Sequence, residues 1–332
     1  MERQMFLRLL AGSVAGAAFI DAPDLSAARP SRLGQTDVDQ VRGMARVFAG
    51  LDHQVGSGLS AQAVVAQLDS SAQLLHGRFG AETTRLRLFS AVADLADVAG
   101  GMCFDAGRHT EAERCFRFAV GAAVEAGDWD MRAKALSGLA NLAVHQERPD
   151  DALSYAEAAL VRADRLDPVV RAVTHSRHAR ALGSAGRHRE NDCLAAVDRA
   201  RGAFTRTGDE PEWVSYYSPA HLDRDLGRAF LNLALEGGDH TAAQAHLTAA
   251  VAGFPDTASR GRTLAIANLA HLTMVRDDPR HAAALGHSAL DGLGSIRSDR
   301  VAEALRRMRR AGARHNDIPA VRELNHRVLS AV

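Results

Sequence analysis

Five short polar turns recur along the chain: GRHTEA (Gly107 to Ala112), ERPDDA (Glu147 to Ala152), GRHREN (Gly186 to Asn191), GDHTAA (Gly238 to Ala243) and DDPRHA (Asp277 to Ala282). Their first residues stand 40, 39, 52 and 39 positions apart. Each is a polar turn that carries glycine or proline, and each separates two amphipathic stretches of helical period. A helical hairpin of this length cannot bury its apolar face alone, so a chain built from such units must stack them into a solenoid. Seven residues before the turn the side chain is small in four units, at Gly100, Ala140, Ala179 and Ala270, with Leu231 the exception. Seven residues into the second helix alanine recurs at Ala119, Ala159, Ala250 and Ala289, while the third unit departs around Asp198. Small side chains at these two places let paired antiparallel helices approach closely.

Composition agrees with a helical array. Apolar residues make up 46% of the chain but aromatics only 5%, so the core must come from small, close-packed helix faces. Strong helix formers dominate and β-branched runs are scarce. Lysine and arginine balance aspartate and glutamate at 40 each, which removes any global attraction to nucleic acid or an anionic membrane. Lys134 is the only lysine. The cysteines, Cys103, Cys115 and Cys193, lie singly in apolar stretches with no CxxC pair, which reads as buried hydrophobes rather than a disulfide framework or zinc site. Met1 to Ile20 begins with charge and continues with small apolar residues. It reads as a short amphipathic helix against the first repeat, with a degenerate export signal as the alternative. Elsewhere no uninterrupted apolar run is long enough to span a membrane.

The hairpin pattern is that of tetratricopeptide repeats with a period longer than the usual 34 residues. The extra length falls in loops such as Arg165 to Val169 and in the insertion Thr205 to Leu222. The expected fold is all-α: a tetratricopeptide-like helical-hairpin solenoid, a right-handed superhelix with C-terminal capping helices. Residues 1–36 form a linker or degenerate signal-like segment, 37–84 the N-terminal helices, 85–297 five degenerate repeats and 298–332 the cap.

Three segments carry a more specific likeness. GGMCFDAGRHTEAERCFRFAVGAAVEAGD (Gly100 to Asp128), DEPEWVSYYSPAHLDRDLGRAFLNL (Asp209 to Leu233) and SIRSDRVAEALRRMRRAGARHNDIPAVREL (Ser295 to Leu324) resemble the tetratricopeptide sensor half of actinobacterial helix-turn-helix (XRE-type) transcriptional regulators. In that family the repeats sense a signal or partner and a separate N-terminal domain binds DNA. Fewer than forty residues precede the first family-like helix here, and RQMFLRLLAGSVAG resembles the linker that follows the DNA-binding domain. A DNA-binding unit needs roughly 60 residues. The resemblance therefore implies a sensor role without direct nucleic-acid contact.

Tetratricopeptide arrays bind on the face lined by the first helix of each pair. Arg228 and Asn232 of the fourth unit and Asn268 of the fifth sit there, with Asn141 and Arg177 on earlier first helices. Their placement resembles the carboxylate clamp of chaperone-binding tetratricopeptide domains, and amides with a guanidinium are suitable donors to a carboxylate. Arg306, Arg307 and Arg310 of the cap extend the cluster. Trp213, Tyr216 and Tyr217 gather in the insertion and read either as a ligand lid or as a plug folded into the superhelix. Fifteen histidines include the pair His175 and His178 on one helix face, His281 and His287 on different faces, and His109, His188 and His240 at equivalent turns. No metal-ligand spacing, nucleophile elbow, phosphate loop or dinucleotide motif appears, so no metal, cofactor or catalytic residue is expected. The basic run Arg306 to Arg310 reads as a solvated face.

These readings converge on a non-enzymatic, cytoplasmic scaffold or sensor. It would bind a peptide, a protein or a small signal molecule in its concave groove and act in regulation, without membrane or direct nucleic-acid contact. Exposed apolar cap positions such as Ile318, Val321 and Leu324 suggest a homodimer, and a packed cap explains them equally well. Two alternatives stay open: a DNA-binding regulator whose helix-turn-helix is missing from this chain, and an enzyme of specialised metabolism using His175, His178 or the Tyr216 loop.

Overall fold

The computed structural model describes residues 32–55, 60–255, 259–294 and 298–332. The N-terminal segment read above as an amphipathic helix or signal lies outside the described residues. The described chain forms helices α1 (Gln35–Val55), α2 (Ala61–Gln73), α3 (Glu82–Asp105), α4 (His109–Ala126), α5 (Trp129–His145), α6 (Pro149–Leu160) and α7 (Pro168–Ser184). It continues with α8 (Glu190–Ala203), α9 (Pro219–Leu235), α10 (Thr241–Gly253), α11 (Ser259–Arg276), α12 (Pro279–Leu293), α13 (Asp299–Gly312) and α14 (Pro319–Ala331). Among the described residues there is no strand, only one isolated bridge between Leu33 and Phe79. The fold is an all-α solenoid of helical hairpins, and no described helix is long and apolar enough to cross a membrane.

The turn residues explain where helices stop. Gly107, Gly127, Gly186 and Gly237 adopt left-handed or otherwise positive φ, between 66° and 108°. Glycine does this without a Cβ clash. After α3 the amide of Arg108 donates to Cys103 O at 2.8 Å, and after α5 that of Arg148 donates to Ala143 O at 2.9 Å. After α9 the equivalent bond runs from Gly238 to Leu233 O at 2.9 Å. In the fourth unit the positive-φ residue is therefore Gly237, one before the residue that aligns in sequence. Helix starts are equally explicit. The carboxylates of Asp128, Asp167 and Asp278 accept from Met131, Val169 and Arg280 amides at 3.0, 2.8 and 2.9 Å. Prolines open α6, α7, α9, α12 and α14, where their missing N–H is not needed.

Each hairpin pairs consecutive helices, α3 with α4 through α11 with α12, and the first helices α3, α5, α7, α9, α11 and α13 also pack side by side. These first helices form the inner layer. Gly100, Ala140, Ala179 and Ala270 are buried, as are Ala119, Ala159, Ala250 and Ala289. The Phe116 ring shows why: a Cβ at Gly100 would stand 2.7 Å from it, so the ring occupies the space that the glycine leaves. In the third unit Asp198 is exposed and Ala196 and Ala200 take the buried places. In the cap, Val321 and Leu324 are wholly buried with Val301, Leu305 and Met308, and Ile318 packs against them. Packing of the cap thus accounts for the apolar positions that suggested a dimer.

The array also returns on itself. Helix α13 packs against α3, the inner helix of the first repeat. Asp105 at the end of α3 accepts from Ser298 Oγ at 2.6 Å, Arg300 Nε at 2.6 Å and Arg260 Nη1 at 3.1 Å. The interior is therefore enclosed by both ends of the array.

Candidate functional site

The enclosed interior contains a cavity of about 670 Å³. Its wall is drawn from α1, α3, α5, the loop before α9, α11 and α13, represented by Asp52, Asp97, Lys134, Trp213, Arg260 and Arg300. Lys134 reaches Asp94 at 2.7 Å and Asp97 at 3.2 Å, and its ammonium lies 4.7 Å from the Trp213 ring centroid. Burial opposes its charge, yet the two carboxylates hold its proton above the ordinary lysine range. Burial likewise raises Asp97, partly offset by Lys134. Arg260 joins Asp52 at 2.7 Å to Asp105, which links α1, α3 and α11 across this wall.

The insertion between α8 and α9 forms one side of the cavity. Arg206 fixes it, donating to Ser215 O at 2.9 Å, Tyr217 O at 2.6 Å and Glu210 at 2.6 Å. Trp213 packs against both the N-terminal and the central apolar clusters. Tyr217 is 1% exposed and donates its hydroxyl to Asp225 at 3.0 Å. Tyr216 stays 49% exposed at the edge. The aromatic trio is therefore divided: Tyr217 plugs the interior, Trp213 walls the cavity and Tyr216 borders its opening.

Beyond Tyr217 lies a strongly basic region. Asp225 is fully buried and is shared by Arg177 at 2.9 Å and Arg224 at 3.0 Å. Burial alone would raise its carboxyl, but Arg177, Arg224 and Arg228 carry it far below the usual range. Arg180 is 5% exposed and its Nη1 is a buried donor with no partner. Half-buried Arg228 forms no ion pair or side-chain hydrogen bond among the described residues. Burial, then Arg224, Arg177 and Arg300, push its guanidinium down to about 9, against the pull of Asp225. Burial, Arg228 and Arg177 push Arg180 well below its ordinary range. His145 is pushed down to about 3 by burial, His109 and the arginines 180, 307 and 228.

The structure distributes the sequence-derived groove residues unequally. It brings Arg177 and Arg228 together around Asp225, but Arg177 is already ion-paired there. Asn232, half-buried one turn after Arg228, makes no side-chain hydrogen bond among the described residues. Asn268 is 9% exposed and donates its amide to Leu264 O at 2.7 Å, so that donor is spent on its own helix. Asn141 keeps a buried amide oxygen without a partner. Arg306, Arg307 and Arg310 are engaged by Glu303, and Arg306 also by Asp299. Cys103, Cys115 and Cys193 are free and buried.

Sequence reasoning did not anticipate Arg180 or the trio His109, His145 and Asp299, whose ligand atoms all lie within 4.8 Å of one another. The trio has the residue types of a cation site. The same arginines that hold His145 neutral oppose a cation there. Spacing could not have revealed it, because three helices supply it. Arg180 had a usable signal: like Asn141, Asn232 and His271 it stands six residues before its turn.

A tetratricopeptide repeat family model matches residues 92–164, from the middle of α3 to just beyond α6. No curated protein sequence matches the chain. The hairpins from α7 to α12 continue the arrangement of the matched stretch.

Proposed function

We propose that this chain is a non-enzymatic interaction scaffold that takes up a short segment of a protein partner inside the closed solenoid, as the sensing part of a cytoplasmic regulatory system. The observation that carries this reading is the cavity of about 670 Å³ enclosed by both ends of the array and walled by Trp213; the unpaired Arg228 is not part of that wall and belongs to the basic region around Asp225. Such a volume suits a few residues of extended peptide or a small signal molecule, within the ordinary pocket range of about 300–1,000 Å³. Trp213 offers an apolar face, while Arg228 and Asn232 offer donors to a carboxylate or similar anionic group. Peptide binding is also the common use of tetratricopeptide arrays. The regulatory part of the reading rests on the resemblance of Gly100 to Asp128, Asp209 to Leu233 and Ser295 to Leu324 to regulator sensor halves; any effect on transcription would then pass through a partner.

Binding rather than turnover is supported by how the interior spends its ionisable groups. Lys134, Arg260 and Arg177 are held in ion pairs that join helices. A random peptide library selected on the wild-type protein supplies ligands for the test. Their affinity, read by fluorescence anisotropy, should fall at least about tenfold in Trp213→Ala and in Arg228→Ala, the loss of one charged hydrogen bond. The melting temperature of Arg228→Ala should not drop. Ligands that bind both variants as tightly as wild type would place binding outside the interior.

A further inference from the structure

The basic region of the interior contains more fixed positive charge than the protein balances. Four arginines, Arg177, Arg180, Arg224 and Arg228, converge on one carboxylate, Asp225, and Arg177 and Arg224 already occupy it. Neighbouring carboxylates are committed elsewhere. Asp105 is taken by Ser298, Arg300 and Arg260, and Glu303 by Arg307 and Arg310. Arg180 is nine-tenths buried and more, with Nη1 unpartnered, and Arg228 has no ion pair among the described residues. A guanidinium does not escape by losing its proton in a protein. Leaving a buried ion without a counter-ion is among the costliest arrangements a fold can contain. Arg307, which donates to His145 O at 3.4 Å from the opposite side, adds to the same field.

We propose that this region is a phosphate-binding site, in which Arg228 contacts the oxyanion directly and Arg180 supports it from behind. The charge count selects the ligand class. Four guanidinium groups against one carboxylate leave an excess of three positive charges, with Arg180 and Arg228 the two groups that lack an ion pair among the described residues. A phosphate monoester or free phosphate offsets about −1.5 to −2 of it at neutral pH with three acceptor oxygens. A single carboxylate would offset only one of these charges. Guanidinium forks match phosphate oxygens in pairs. Asn232, one turn beyond Arg228 and with its amide unspent, adds a neutral donor. The assignment rests on the interior being the binding site, as proposed above, but not on the partner being a peptide.

The test uses the full chain and inorganic phosphate, followed by calorimetric titration and by thermal melting at constant ionic strength, with acetate as the monovalent control. One phosphate per chain and a raised melting temperature, without a matching effect of acetate, is the expected result. Arg228→Met and Arg180→Met keep the apolar stem while removing the charge. Each should weaken phosphate binding at least about tenfold. Arg187→Met, exposed on the outside, should leave it unaltered. Phosphate that stabilises no more than acetate, or that binds both interior variants undiminished, overturns the proposal. If phosphate fails while Trp213-dependent peptide binding persists, only this assignment falls. If phosphate binds at Arg228 and Arg180 while no peptide does, it stands and the peptide reading falls.

Discussion

Ser298 donates its hydroxyl to Asp105 at 2.6 Å across 193 positions of the sequence. A solenoid ordinarily transmits stability only between neighbouring repeats. Here the carboxylate that ends the first inner helix also receives Arg300 and Arg260, so the cap and the first repeat are parts of one closed structure.

Asp105→Asn preserves shape but removes the buried charge that two half-buried arginines share. Breaking a buried ion pair from one side costs about 3–5 kcal/mol. The loss should appear in urea unfolding, and hydrogen exchange should accelerate in α13 and at the end of α3 more than in α7. Uniform acceleration along the array would contradict a local tie.

Glu147 is the second-unit counterpart of Gly107, and it holds φ at 59°. For a residue with a Cβ the left-handed conformation costs roughly 1–2 kcal/mol. Its ion pair with Arg307 at 3.5 Å is largely solvent-exposed and contributes little. Glu147→Gly should therefore stabilise the chain by about 0.5–1 kcal/mol, since glycine's entropic cost offsets part of the relief. A lower urea midpoint would show that the Arg307 contact outweighs backbone strain.

The repeat was legible because its causes are local. Gly107 and Gly186 stand where the backbone turns left-handed, and Gly100 stands where Phe116 needs room. The interior was less legible. Arg228 and Arg177 could be placed on the inner face by counting from the turns, but nothing local shows that Asp225 is already occupied or that Asn268 bonds its own helix. The tie between Asp105 and Ser298, and the meeting of His109, His145 and Asp299, depend on the summed rotation of five hairpins. No spacing in the sequence encodes that sum directly. The Trp213 loop lay between the two: its composition marked it, and only the Arg206 clamp shows which ring plugs and which remains at the edge.

Acid should destabilise the protein before most of its carboxylates titrate. Burial lowers His145 to about 3 and His175 and His271 to about 4, whereas an unfolded histidine titrates near 6.5. Below about pH 6.5 the unfolded chain binds protons at these sites that the folded chain refuses, so stability is lost as pH falls toward 4. Asp130 acts in the opposite sense. Burial raises it to about 6, so it takes up its proton more readily when folded, and its contribution is lost as pH rises from about 4 to 6. Burial also lowers His178 and raises Asp97 and Asp69, so four lowered rings oppose three raised carboxyls. Urea midpoints at pH 7 and 5.5 measure the loss, and His271→Asn should flatten it. Equal midpoints at the two pH values would contradict the burial of these neutral rings.

Two glycine substitutions separate close approach from mere flexibility. A Cβ on Gly183 would run into the backbone carbonyl of Ala229, so α7 and α9 touch there through backbone alone. Gly183→Ala must push the two helices apart, at a cost of about 1–3 kcal/mol for overpacking. Gly43 lies inside α1 with nothing within 4 Å of an added Cβ. Gly43→Ala should stabilise by about 0.5–1 kcal/mol, because alanine loses less freedom on entering a helix. The first change has a second consequence. Arg180 lies one turn before Gly183, and Arg228 directly precedes Ala229, so the crossing of α7 and α9 sets the separation of the two unpaired guanidinium groups. Gly183→Ala should therefore weaken phosphate binding as well as stability, while Gly43→Ala should leave binding unaltered. Calorimetric titration of both variants decides it: undiminished phosphate affinity in Gly183→Ala would mean that the spacing of α7 and α9 does not define the site.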